Sequence, residues 1–223
     1  MLRRVEYGEA DLIVTLFTRE QGRVVALARG ARKSRRRFTG AFEPFFTLGV
    51  RFDERPGAEL FALTQAEIVR ARVALLSDLT RMELAGRALG WIREAAPART
   101  PELEAFELIE RLLDGFCVPG ELSPELELAE AGLTLSALFG WSLEFERCVR
   151  CGKLCPAGVP AFLVVLRGGL VCRACGGGRT RLEPDQRLRF ARAVSGETRV
   201  LAPGDASLAL TLVDRVFAQH AGI

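Results

Sequence analysis

Apolar positions alternate in short runs over the first 75 residues, then switch after Ser77 to a spacing of three and four. The run Leu12–Thr18 is rich in β-branched and apolar residues, and Arg19–Gly22 turns the chain into a second run, Arg23–Ala28. Phe45–Phe52 predicts another strand, Glu54–Gly57 a turn, and Glu59–Thr64 a strand that pairs back. With a short strand near Leu2–Tyr7, the pattern supplies enough strands for a small antiparallel barrel, of the OB type or an SH3-like one.

The helical spacing begins with Leu79, Met82, Ala85, Leu89 and Ile92. Thr100-Pro101-Glu102 has the chemistry of a helix start: a capping hydroxyl, a proline at the first helical position and an acid in the first turn. The stripe Leu103, Phe106, Ile109, Leu112 and Phe116 follows it, and Ser123-Pro124-Glu125 repeats the start for a third helix that Gly140 stops. Further on, Leu188, Ala191 and Val194, then Leu208, Leu212, Val216 and Phe217, resume the spacing as later members of the same bundle. The expected fold class is α+β and multidomain. The segments are a barrel over 1–76, a helical domain over 77–146, an insertion over 147–182 and the rest of the helical domain over 183–223.

The insertion carries Cys148 and Cys151, then Cys172 and Cys175. A C-x2-C pair lets one short turn offer two thiolates to a single ion, and a second pair completes a tetrahedron. Phe162–Leu166 and Leu170-Val171, joined through Arg167-Gly-Gly169, read as the hairpin of a zinc ribbon. The expectation is one structural Zn²⁺ on these four cysteines, ordering a segment with few apolar residues of its own. Two disulfides would require an oxidising compartment, and a redox dithiol is not normally duplicated twenty residues later. Cys155 also lies within ligand range of Cys151 by spacing, and Cys117 reads as a small buried hydrophobe.

Charge sharpens this picture. The net charge of +3 conceals segregation: residues 1–40 carry ten basic and four acidic groups, residues 81–146 five against thirteen, and residues 147–182 seven basic groups and no acid. Two cationic segments flanking an acidic middle point to a polyanionic partner met by defined faces. The densest run is Arg29, Arg32, Lys33, Arg35, Arg36 and Arg37, six cations in nine residues between two strands. Such a loop neutralises phosphates, with an affinity that falls as salt rises. Phe38, Phe42, Phe45 and Phe46 offer either stacking faces for unpaired bases or barrel core.

Catalytic equipment is missing from the sequence. It has no P-loop, no G-x-S-x-G and no H-E-x-x-H, and its one histidine is His220. A zinc held by four cysteines keeps no open position for water. The expectation is a protein that is not an enzyme and takes no small-molecule substrate. No run of 18 uncharged apolar residues exists to cross a membrane and no signal peptide is visible, so a reducing, intracellular location follows.

Tyr7–Val14, Leu16–Glu20, Gly22 and Ala28–Ser34, continued by Phe42–Phe45, Leu60–Glu67, Cys148–Gly152 and Val171–Cys175, resemble the bacterial RecO family of recombination mediators. The resemblance covers nearly the whole chain. It implies an OB-fold barrel, an α-helical domain and a four-cysteine zinc finger. It also implies binding of single- and double-stranded DNA, annealing of complementary strands, and help in loading recombinase onto strands coated by SSB. The implied partners are RecR and the SSB C-terminal tail, the latter expected near helix arginines Arg81, Arg87, Arg93 or Arg111, and the implied location is cytoplasmic and nucleoid-associated. By the same resemblance the first strand is expected to be short, and the end at Ile223 to omit a further basic tail. A zinc-ribbon RNA-binding or ribosome-associated factor and a protein-interaction adaptor are the alternative classes.

Overall fold

The computed structural model describes residues 1–34, 36–38, 40–53, 60–118 and 123–220. Its first five strands are β1 (Arg3–Tyr7), β2 (Asp11–Thr18), β3 (Gly22–Ala28), β4 (Thr47–Asp53) and β5 (Phe61–Arg70), and they form one sheet in the order β1-β2-β3-β5-β4. β1, β2 and β3 form an antiparallel meander, β3 runs parallel to β5, and β4 returns antiparallel to β5. That order is the OB topology, which decides between the two barrels the strand pattern allowed. Inward and outward residues alternate along β2 and β3, so Leu12, Val14, Leu16, Val24, Ala26 and Ala28 share one interior with Phe61 and Leu63. The expected turn at Glu54–Gly57 lies outside the described residues.

Two helices, α1 (Leu79–Ala95) and α2 (Leu103–Gly115), belong with the barrel to the compact unit Met1–Pro119. Asp78 caps α1 by accepting from the Arg81 N–H. The expected cap at Thr100 does not form: α2 starts at Leu103, after Glu102. Residues 98–100 are instead drawn alongside β3, where Arg99 N–H donates to the Arg23 carbonyl at 3.0 Å. Gly22 is required there, since a Cβ at this position would sit 1.8 Å from the Thr100 carbonyl oxygen, and its φ of 59° suits glycine.

The second unit, Gly120–Ile223, holds α3 (Pro124–Leu138), α4 (Pro184–Val194), α5 (Ala206–His220) and the ribbon between α3 and α4. The helices of the expected 77–146 segment are thus divided, with α1 and α2 in the barrel's unit and α3 in this one. α3 begins as expected, with Ser123 accepting from Leu126 N–H and Pro124 at the first position. It is buried nearly all round by α4 and α5, which explains why its apolar residues show no single stripe. Its Glu130, only 5% exposed, accepts backbone N–H groups from Arg199, Val200 and Leu201 at 2.7–2.9 Å and so holds the loop between α4 and α5.

The ribbon consists of β6 (Glu144–Cys148), β7 (Ala161–Val164), β8 (Gly169–Val171) and β9 (Thr180–Leu182), in the order β6-β8-β7-β9. The β7–β8 hairpin is the one the sequence predicted. The ribbon has more apolar packing than expected, however. Leu163, Leu170, Val171 and Leu182 are buried, and Phe145 packs edge-on against Phe190 of α4 at 5.8 Å. The sheet therefore has apolar packing of its own, and only its cysteine-bearing turns lack it.

Candidate nucleic-acid interface and metal centre

The basic loop is anchored through its backbone and leaves its charged side chains outside. As β3 ends, Gly30 takes a φ of 68°, and its N–H donates to Asp11 Oδ1 at 2.7 Å. Arg32 N–H donates to the Ala10 carbonyl at 3.0 Å, and Ala31–Lys33 form one buried-edge turn of 3-10 helix. Arg29, Arg32, Lys33, Arg36 and Arg37 are all exposed, while Arg35 lies outside the described residues. Arg32 meets Glu6 at 3.1 Å, and Arg37 donates to the Arg29 carbonyl and lies over the Phe38 ring at 5.0 Å. Arg29, Lys33 and Arg36 enter no ion pair among the described residues. An anchored backbone carrying exposed cations of one sign is suited to contacting phosphates, whose positions repeat without regard to sequence.

The neighbouring phenylalanines settle on the core reading. Phe38, Phe42, Phe45 and Phe46 are between 3 and 7% exposed, and Phe38 packs against Phe42 with ring centroids 5.5 Å apart. Phe38 and Phe42 join the barrel's apolar interior and have no face left for a base.

Sequence reasoning overlooked Arg72. It is 2% exposed and donates to Asp114 Oδ1 at 2.8 Å, Glu110 Oε2 at 3.0 Å, the Phe45 carbonyl at 2.8 Å and Thr47 Oγ1 at 2.8 Å. Arg70 also pairs with Asp114. The signal available was Glu110 and Asp114 at i, i+4 on one helix face, which reads equally well as a solvated surface. This hub ties the strand ends to α2, and it is structural because both charges are satisfied within the unit.

The four predicted cysteines come together. The sulfurs of Cys148, Cys151, Cys172 and Cys175 all lie within 4.8 Å of one another, and Cys151 and Cys172 are 3.9 Å apart. A tetrahedral ion with metal–sulfur bonds of about 2.3 Å needs sulfur–sulfur edges of about 3.8 Å, so the set fits. Each pair sits on a tight turn. Gly152 N–H donates to the Cys148 carbonyl at 2.8 Å, and Gly177 N–H to the Cys172 carbonyl at 3.1 Å. The Cys172 N–H donates to Cys148 Sγ at 3.3 Å, and that bond leads in lowering the Cys148 thiol to about 6. Cys175 is pushed up to about 12, first by its bond with Cys172 and then by that with Cys151. The lowered Cys148 and the raised Cys175 belong to one crowded sulfur cluster, whose shared charge a cation would neutralise. Cys155 is outside this group; it is buried, and burial raises its thiol. Cys117 is half-buried and donates to the Leu113 carbonyl. The four cysteines can hold a metal ion, and four sulfur donors are the set that zinc takes in structural sites.

Together these features define an OB-barrel protein with a second, helical unit bearing a four-cysteine centre. Residues 1–72 match the family model described as Recombination protein O N terminal, and residues 76–223 that of Recombination protein O C terminal. The chain is 40% identical over 184 residues to the DNA repair protein RecO of Anaeromyxobacter sp. (strain K), covering 82% of this chain and 71% of that one. It is 39% identical over 184 residues to the DNA repair protein RecO of Myxococcus xanthus, covering 79% and 70%. It is also 35% identical over 227 residues to that of Pelobacter propionicus, covering 100% and 89%. The chain belongs to the recombination protein O family, and its role lies in DNA repair and recombination. That places it ahead of the RNA-binding and adaptor classes. No helix among the described residues is long and apolar enough to cross a membrane.

Proposed function

We propose that the protein binds single- and double-stranded DNA through its basic loop, anneals complementary strands, and helps load recombinase onto SSB-coated strands together with RecR. The observation that carries this reading is the run of five exposed, described cations on an anchored backbone at one end of an OB barrel. Arg29, Arg32, Lys33, Arg35, Arg36 and Arg37 are the contacting residues. The work is done by binding alone. Arginines on the barrel and on the ribbon each screen a phosphate backbone, so complementary strands meet without the repulsion that separates them at low salt.

A single Zn²⁺ on Cys148, Cys151, Cys172 and Cys175 supplies structure and no reactive position, because all four coordination sites are protein sulfurs. The helical surfaces are left for protein partners. The SSB tail is acidic, so a helix arginine suits it; Arg111 is exposed on α2, whereas Arg81 is committed to the Phe116 and Val118 carbonyls.

The test is annealing of complementary oligonucleotides with and without SSB, in the absence of ATP and free divalent metal. Acceleration that fades as salt rises is expected. A folded, metal-replete protein that leaves the spontaneous rate unchanged at low salt would refute the reading.

A further inference from the structure

We propose that the groove between the ribbon hairpin and α5 is a second strand site, one that takes the phosphate backbone of single-stranded nucleic acid without stacking its bases. The inference rests on the annealing function above and gives the second strand a place. The groove measures about 990 Å³, and its residues come from the first cysteine turn, the β7–β8 hairpin, the Gly176–Gly178 run and one face of α5. Arg150, Arg167, Arg179 and Arg215 line it together with Val164, Leu166 and the three glycines, and no carboxylate is among its lining residues. All four arginines are exposed.

Two features fix the geometry. Arg150 donates to the Cys175 carbonyl at 2.8 Å, so its position is set by the pairing of the two cysteine turns. Arg215 lies on α5 one turn before Ala218 and Gln219, which also line the groove, and the small Ala218 leaves room beside it. The 3-10 turn Val165–Arg167 packs against α5 and lifts Leu166, 80% exposed, above the groove.

Four guanidinium groups with no carboxylate among them match a ligand that carries a charge at every residue, as a strand does. No aromatic ring lines the groove, so the stacking that usually anchors bases in single-strand sites is missing. Binding here should therefore be indifferent to sequence and to the presence of bases.

The experiment uses the full, metal-loaded chain and fluorescent oligothymidylate, beside an abasic strand of equal length, at several salt concentrations. Arg167→Glu with Arg215→Glu changes two exposed groove arginines and leaves the cysteine turns and the barrel loop intact. The pair should lower the slope of log K against log salt by about 1.4, at roughly 0.7 per single-strand phosphate contact. The same decrease should appear when the barrel loop already carries Arg29→Ala, Lys33→Ala and Arg36→Ala. The abasic strand should bind the unsubstituted protein within about threefold of oligothymidylate, since stacking worth measurable affinity per base is missing. An unchanged slope in a folded, metal-replete variant would overturn the proposal, as would abasic affinity more than about tenfold weaker. An acidic decapeptide with an apolar C-terminus that loses binding in this variant, while oligothymidylate does not, would reassign the groove to a peptide. Annealing by the unsubstituted chain judges the function as a whole; the slope difference judges the groove alone.

Discussion

The barrel and the ribbon both present arginines to solvent, but they hold those arginines in place by different means. The barrel is organised around an apolar interior to which Phe38 and Phe42 contribute from the basic loop itself. Its loop backbone is then pinned by Asp11 and Ala10. In the ribbon, the sheet packs on α4 through Phe145 and Phe190, while the cysteine turns that carry Arg150 and Arg173 have mainly sulfur to converge on. One cationic surface is therefore built by hydrophobic burial, and the other is gathered around four sulfurs that can hold a metal ion. The two should respond differently to metal removal, to salt and to pH.

The largest effect is expected from Cys172→Ser with Cys175→Ser. Structural zinc in four-ligand sites carries apparent binding free energies on the order of 10 kcal/mol, and half the ligands would be gone. Metal content by elemental analysis should fall to background, and limited proteolysis should cut the turns around residues 148–155 and 172–179. The packed strands and the barrel should survive. Loss of order throughout the barrel as well would erase the contrast, and full metal retention would remove its basis.

Next in size is Arg72→Ala. It removes the buried guanidinium that donates to Glu110 and Asp114. These partly exposed carboxylates keep Thr47 and Arg70 as partners, so the cost should be about 2–4 kcal/mol, below that of a fully buried pair. Chemical denaturation should show the loss, while the salt dependence of DNA binding by the folded fraction stays as it was. A stability change below about 1 kcal/mol would mean that the hub is solvated and does not join α2 to the barrel.

The helical unit offers a smaller, pH-dependent effect. Burial works against ionisation of Asp205, but Arg189, the Ala202 N–H and Gln186 outweigh it and hold the carboxyl below its ordinary value of 3.8. A depressed carboxylate contributes fully above the unfolded value and loses its contribution as pH falls through the folded one. Asp205→Asn should therefore cost stability at neutral pH, on the order of 1–3 kcal/mol. The difference from the unsubstituted chain should shrink below pH 4. A difference that does not change between pH 7 and pH 3 would assign the effect to packing.

The barrel strands and the four cysteines were legible because each leaves a local signature: alternation in β2 and β3, and C-x2-C spacing in the ribbon. The α3 cap was legible too, since Ser123 and Pro124 act within one turn. Thr100-Pro101 has the same local chemistry, yet no helix starts there, because pairing of residues 98–99 with Arg23 takes precedence. Arg72, the arginine lining of the ribbon groove and the ribbon's packing on α4 depend on contacts between residues far apart in sequence. No periodicity announces them. The division of the helices between two units is hidden for the same reason: α2 and α3 both carry buried leucines, and only tertiary contacts say against what.

The central claim is that exposed loop cations, and not bases or a reactive centre, provide the barrel's grip on DNA. Its most direct test is the salt dependence of single-strand binding by Arg29→Ala, Lys33→Ala and Arg36→Ala, three cations with no ion-pair partner among the described residues. Each phosphate contact contributes about 0.7 to the slope of log K against log salt for single strands, so the triple variant should flatten it by about two units, equally for strands of different sequence. A folded variant with the original slope and affinity would contradict the account and move DNA binding off the barrel.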